Sequence, residues 1–136
     1  LRNLVEINEN TKNGIWKKQA QGVCTYELSG KTVGLIGMGA IGRKVAEMLK
    51  VFGAKALYND VLQMKEEDEV RLGITYCTIK EIIEKSDIIS LHCPLTTETK
   101  HIIDNRAVNK MKNGVILINT ARGGLIDEIA LVNGIK

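Results

Sequence analysis

The chain has 136 residues, 44% of them apolar and 26% charged, with a net charge of +3. That is enough chain for one domain with a buried core, and Lys and Arg are too scattered among acids to suggest nucleic acid or an anionic membrane. No apolar run reaches the roughly 18–20 residues of a spanning helix, and no signal-peptide pattern is present. Cys24, Cys77 and Cys93 are odd in number and far apart, which argues against a disulfide framework or a metal site and for reduced thiols in a cytoplasmic protein.

Residues 1–13 place Leu1, Leu4, Val5 and Ile7 among polar residues, the pattern of a short amphipathic helix that Gly14 stops. From Ile15 to Leu28 neither period holds, and this stretch reads as an extended arm. Its Ile15, Trp16, Val23 and Tyr26 need a surface, either on their own domain or on a partner subunit. Thr32 to Ile36 is a strand, and the apolar residues Ile41, Val45, Met48, Leu49 and Phe52 then recur at helical spacing. Lys55 to Asn59 is a second strand, Gln63 to Leu72 an exposed charged helix, and Ile74 to Cys77 a brief third strand. A helix over Ile79 to Lys85 leads to a fourth strand, Asp87 to Cys93, apolar enough to be buried on both faces and broken by Pro94. Asp104 to Met111 reads as helix and Val115 to Asn119 as a fifth strand, and Asp127 caps a last helix.

Strands alternating with helices predict an α/β fold with a doubly wound parallel sheet of Rossmann type, in the order 3-2-1-4-5. Strands 1 and 4 then lie side by side, and the loops Gly37–Gly42, His92–Glu98 and Asn119–Gly124 meet at one edge. The chain opens on Leu1 inside a helix and stops at Lys136 just after another. It therefore reads as a piece of a longer polypeptide, truncated at its C-terminal end.

The most informative stretch is Gly37-Met38-Gly39-Ala40-Ile41-Gly42, a G-x-G-x-x-G turn between strand and helix. Gly37 permits the sharp turn, Gly39 lets backbone approach a pyrophosphate, and Gly42 lets the helix pack close to the strand. The first helix amides lack intrahelical partners and can bind an anion. A tight turn with no ligand is the competing reading of the motif alone. Asp60, eighteen residues after Gly42 at the end of the second strand, is where an acid accepts bonds from both adenosine ribose hydroxyls. It also repels a 2′-phosphate, so NAD is favoured over NADP. Arg122, between a strand and the Gly123-Gly124 pair, belongs at the same ligand edge, where its planar fork suits a carboxylate. A structural arginine that ties down loop carbonyls is the alternative.

In combination these motifs resemble the coenzyme-binding domain of the D-isomer-specific 2-hydroxyacid dehydrogenases. The resemblance runs over Leu28-Ser29-Gly30-Lys31-Thr32-Val33-Gly34 into the glycine turn, then Leu91-His92-Cys93-Pro94-Leu95-Thr96 with Glu98-Thr99. It closes on Ile118-Asn119-Thr120-Ala121-Arg122-Gly123 with Asp127-Glu128. It implies that Ala40 and Ile41 face the pyrophosphate and that Cys93, Pro94, Leu95, Thr96 and Glu98 line the adenine side. Thr120 and Ala121 would lie by the nicotinamide, and Arg122 would hold the substrate carboxylate and polarise its carbonyl.

The resemblance further implies an NAD-dependent oxidoreductase acting on a small 2-hydroxy or 2-oxo acid, and a homodimer joined through residues 1–28. The cofactor domain would occupy 29–136, with the substrate-binding domain outside this chain. Asn59 and Val61 flank Asp60 where the family often has Tyr and Pro, and the family's catalytic Glu and His fall beyond Lys136. His92 and His101 read as structural, and Glu128 as a first-turn helix acid. The chain alone is therefore expected to bind NAD weakly without turnover. The rivals are an NAD-sensing scaffold similar to the family's corepressor relatives, or another NAD enzyme with a related domain.

Overall fold

The computed structural model describes residues 4–15 and 26–135. Helix α1, Leu4–Lys12, buries none of its side chains, and Leu4 and Val5 are 75% and 79% exposed. Gly14 follows it with φ +70, as a helix stop requires. Within the expected arm, Ile15, Tyr26, Glu27 and Leu28 are described, while Trp16 and Val23 lie outside the described residues.

From there strands and helices alternate. They run β1 Thr32–Ile36, α2 Ala40–Val51, β2 Lys55–Asn59, α3 Glu66–Leu72, β3 Ile74–Tyr76, α4 Ile79–Lys85, β4 Ile88–Leu91, α5 Asn105–Val108, β5 Ile116–Asn119 and α6 Glu128–Gly134. The strands form one parallel sheet in the order β3-β2-β1-β4-β5, the doubly wound arrangement the alternation implies. Its register matters most for the site. Ile36 pairs with Asn59 on one side and Leu91 on the other, and Leu91 pairs with Asn119, so four strands end in one row. The loops after them are delivered to a common edge.

The two faces carry separate cores. Val33, Leu35, Tyr58 and Ile88 pack with Ala46, Leu49 and Leu72, beneath α2 and α3. Ile36, Ile89 and Leu91 pack with Ile82, Ile83 and Ala107, beneath α4 and α5. Burial of each large aliphatic side chain stabilises the fold by about 1.5–3 kcal/mol. At Gly34 the covering is close: a Cβ there would meet Ile82 Cγ2 and Ser86 Oγ at 2.4 and 2.5 Å, so α4 rests directly on the backbone of β1.

Element ends follow side-chain chemistry. The expected helix over Gln63 to Leu72 starts at Glu66, because the Tyr58 hydroxyl takes the Met64 amide at 2.8 Å and holds that turn open. The expected helix over Asp104 to Met111 contracts to α5, with the Asp104 side chain capping Ala107 N at 2.8 Å. The fourth strand is likewise shorter than Asp87 to Cys93. Asp87 turns its carboxylate to the Thr32 amide (2.8 Å) and Lys112 Nζ (2.9 Å), and these bonds hold its pKa below the usual carboxylate value. Thr78 and Glu81 form a capping box on α4, and Asp127 caps α6 through Ile129 N at 2.9 Å.

The stripe that α2 buries differs from its apolar pattern. Gly42, Ala46 and Leu49 are buried, whereas Ile41, Met48 and Phe52 are 67%, 57% and 59% exposed. Gly42 sits where α2 begins, pressed on the turn with no room for a Cβ beside Gly37 O, and one and two turns further on Ala46 and Leu49 pack into the core. Among the described residues no helix is long and apolar enough to cross a membrane.

Candidate functional site

The turn after β1 is built from contacts that only hydrogen at Cα allows. Gly37 has φ +100, and a Cβ there would meet Cys93 N at 2.5 Å and the His92 carbonyl carbon at 2.6 Å. Its amide donates to Asn59 O at 2.9 Å, tying the turn to the end of β2. A Cβ on Gly42 would meet Gly37 O at 2.3 Å, so α2 begins pressed against the turn. Gly39 is different: nothing lies within 4 Å of the position its Cβ would take. As N-cap of α2 it opens onto empty space at the end of a helix whose first amides have no helical acceptor.

That space is a cleft of about 580 Å³. Gly37, Gly39 and Asp60 form one wall, and Cys93, Pro94, Thr96 and Glu98 another. Asp60 accepts hydrogen bonds from Met38 N at 2.5 Å and from Val61 N at 2.7 Å. Its carboxylate is thus locked in place at the cleft edge, and each oxygen keeps one further lone-pair site. Opposite, Thr99 Oγ1 accepts from Thr96 N and donates to Pro94 O, both at 2.7 Å, which folds the Pro94–Thr99 loop tightly on itself. A bond from Thr96 holds the Glu98 carboxyl below its usual pKa, so it stays ionised.

Burial pushes the Cys93 thiol up and the His92 imidazole down. Cys93 is therefore a neutral thiol in the cleft wall, and His92 a neutral ring with Nε2 at 3.0 Å from Ser90 Oγ. Cys77 and Cys93 are both free.

Thr120, Ala121 and Arg122 follow β5 and do not line this cleft; they occupy the adjacent part of the same edge. Arg122 is exposed, and its Nη1 donates to Ala121 O at 2.9 Å. Their loop is stitched to the other one by backbone bonds: His101 N to Gly124 O at 2.9 Å, Ile103 N to Leu125 O at 3.1 Å, and Asp127 N to Ile103 O at 2.9 Å. Leu95 faces away from the cleft and packs on Gly124, where a Cβ would meet its Cδ2 at 3.0 Å. Met38 turns its side chain into the core and offers the site only its backbone. Asn59, Val61, Ile79 and Ile102 also line the cleft. Sequence reasoning passed over Ile79 and Ile102, because apolar residues beside a turn carry no signal of what they face, and took Asn59 and Val61 only as the flanks of Asp60.

All 136 residues match the model of the D-isomer specific 2-hydroxyacid dehydrogenase NAD binding domain. The chain belongs to that family. It is 39% identical over 137 residues to a glyoxylate reductase of Korarchaeum cryptofilum and 44% identical over 130 residues to a hydroxypyruvate reductase of Thermotoga maritima. These alignments cover 99% and 96% of the chain but 41% and 40% of the two relatives.

Among solved structures, the D-lactate dehydrogenase of Aquifex aeolicus in complex with NAD and lactic acid superposes with a TM-score of 0.89 at 37% identity, over 98% of this chain and 39% of that one. The apo D-lactate dehydrogenase of Escherichia coli gives 0.87 at 36%, over 97% and 41%. As a 2-hydroxyacid dehydrogenase cofactor domain, the chain has NAD as its cofactor and spans about two fifths of these relatives.

Proposed function

We propose that this chain is the cofactor-holding part of an NAD-dependent D-2-hydroxyacid dehydrogenase, and that its dinucleotide lies along the row where β1, β2, β4 and β5 end. The observation that carries this reading is Gly39, a bare backbone position with open space above it, on the same wall as Asp60 in a cleft of about 580 Å³. The pyrophosphate would rest over Gly39, held by the amides of Ala40 and Ile41 at the positive end of α2.

Asp60 would accept both adenosine ribose hydroxyls through its remaining lone pairs. Its charge would face any 2′-phosphate at ~5 Å, which at an effective dielectric near 20 costs about 3 kcal/mol per unit charge, roughly a hundredfold in affinity. Cys93, Pro94, Thr96 and Glu98 would wall the adenine side, with Leu95 bracing that loop from outside. Thr120 and Ala121 would flank the nicotinamide.

When bound, the nicotinamide supplies or accepts the hydride. This chain's contribution is orientation and charge. Arg122 would grip the carboxylate of a 2-hydroxy or 2-oxo acid and stabilise charge that develops on the C2 oxygen. The group that exchanges the hydroxyl proton, and the domain that closes over the acid, would come from flanking sequence. Residues 1–28 would pair with a second copy, helped by the exposed Leu4 and Val5 of α1, by Ile41 and Met48 of α2 and by Phe52, which follows it. A cytoplasmic location fits the free thiols Cys77 and Cys93.

The test is calorimetric titration of the intact protein with NAD and NADP, followed by turnover with glyoxylate, hydroxypyruvate and pyruvate. Tighter NAD binding is expected, together with turnover of at least one acid that Arg122→Lys sharply reduces. Full activity in Arg122→Lys would leave that arginine a purely structural part, and equal affinity for the two dinucleotides would remove Asp60 from the ribose.

A further inference from the structure

We propose that Asn119 is a positioning residue for Arg122, setting the turn from which the guanidinium meets the acid; this rests on the reading of Arg122 above. Asn119 is the last residue of β5, in register with Leu91. Its Nδ2 donates to Arg122 O at 2.8 Å and its Oδ1 accepts from Ala121 N at 3.0 Å. Both ends of one planar amide are thus used to close a turn that carries Thr120 on its outside. Arg122 O also accepts from Leu125 N at 3.2 Å, and Leu125 is fully buried. The arginine backbone is therefore held from both sides, by the strand end and by a core residue.

The side chain of Arg122 has no such support. Among the described residues no carboxylate pairs with it, and its hydrogen bond is the one from Nη1 to Ala121 O. That carbonyl belongs to the peptide between Ala121 and Arg122, which the two Asn119 bonds bracket, one at Ala121 N and the other at Arg122 O. The direction of the guanidinium is inherited from the turn, and the turn from Asn119. Only an amide offers a donor and an acceptor at this reach; a carboxylate cannot donate to Arg122 O, and a hydroxyl is too short to bridge both groups.

A double-mutant cycle in the intact protein tests this, with steady-state kinetics on glyoxylate, hydroxypyruvate and pyruvate, and with NAD affinity from fluorescence titration. Asn119→Ala is expected to raise KM for the acid roughly tenfold, the loss of about one to two hydrogen bonds of alignment. NAD affinity should fall less than KM rises, since Thr120 and Ala121 of this turn would flank only the nicotinamide while the contacts proposed for the pyrophosphate and ribose lie in the cleft of Gly39 and Asp60. On an Arg122→Ala background the same change should add nothing to KM, because Asn119 acts through the arginine.

A purely structural role would lower kcat through a smaller folded fraction, leave KM alone, and add in the double variant. That result overturns the proposal while the reading of Arg122 stands. If Arg122→Ala alone leaves KM for every acid unchanged, both fall. Should Asn119→Ala fold poorly, Asn119→Asp keeps the acceptor for Ala121 N and removes only the donor, and the same cycle applies.

Discussion

Asp60 closes onto the glycine turn: its Oδ2 accepts the Met38 amide at 2.5 Å while its Oδ1 takes the amide of Val61 at 2.7 Å. The acid proposed to read the ribose also pins the loop proposed to carry the pyrophosphate. Asp60→Asn keeps an oxygen for Met38 N and drops the charge, whereas Asp60→Ala drops both. The first should shift preference toward NADP by roughly tenfold or more. The second should lose additional NAD affinity because the turn is released. Dissociation constants for both dinucleotides measure this; a ratio unchanged in either variant contradicts the assignment.

Gly39 and Gly42 separate ligand space from packing space. Gly39→Ala meets no neighbour at a φ of −71, so the fold should lose less than about 1 kcal/mol, the difference between Gly and Ala at an N-cap. Its methyl group would occupy the space proposed for the pyrophosphate, and NAD affinity should fall steeply. Gly42→Ala drives a methyl to 2.3 Å from Gly37 O and should destabilise the fold itself by about 1–3 kcal/mol. Thermal unfolding and NAD titration of the two variants should therefore give opposite profiles.

Tyr58 is fully buried, with its hydroxyl donating to Glu69 Oε1 at 2.6 Å and accepting from Met64 N at 2.8 Å. Burial, then the bond to Glu69, raises its pKa from 10.0 to about 12. The folded state thus favours the protonated phenol more than the unfolded chain does. Stability from this group is complete below pH 10.0 and is lost as pH climbs toward about 12. The full loss is about 2–3 kcal/mol. Denaturant titrations across that window should show it, and Tyr58→Phe should flatten the alkaline fall while costing about 1 kcal/mol near neutrality.

Ser86 is buried, and its Oγ has no hydrogen-bond partner among the described residues. Ser86→Ala removes a desolvated hydroxyl without opening a large cavity, so its effect should be neutral or stabilising by up to about 1 kcal/mol. Gly34→Ala, which would strike Ser86 Oγ and Ile82 Cγ2, should destabilise. Chemical denaturation of both distinguishes a tolerated change from overpacking in one contact.

Periodicity and punctuation carried most of the architecture. Thr32–Ile36, Lys55–Asn59 and Ile79–Lys85 occupy the ranges read from the residues alone, and Asp127 caps the helix it was expected to cap. These features are local: a run of β-branched residues, a glycine or a capping acid acts on its own neighbours in the chain. The identity of the glycine turn, of Asp60 and of Arg122 as edge residues was legible for the same reason, because each sits at the end of a strand.

What remained hidden depends on distances between segments far apart in sequence. The apolar spacing read as Ile41, Val45, Met48, Leu49 and Phe52 took in Leu49 and Val45, which pack on the core, but also Ile41, Met48 and Phe52, which are exposed, while Ala46, outside that pattern, is buried beside the expected Gly42. The bond from Met38 N to Asp60 spans 22 residues, and the stitching of His101 and Ile103 to Gly124 and Leu125 runs through backbone atoms. Backbone bonds leave no mark in side-chain identity. The chain therefore announces which residues reach the edge, and packing alone sets how they are aimed there.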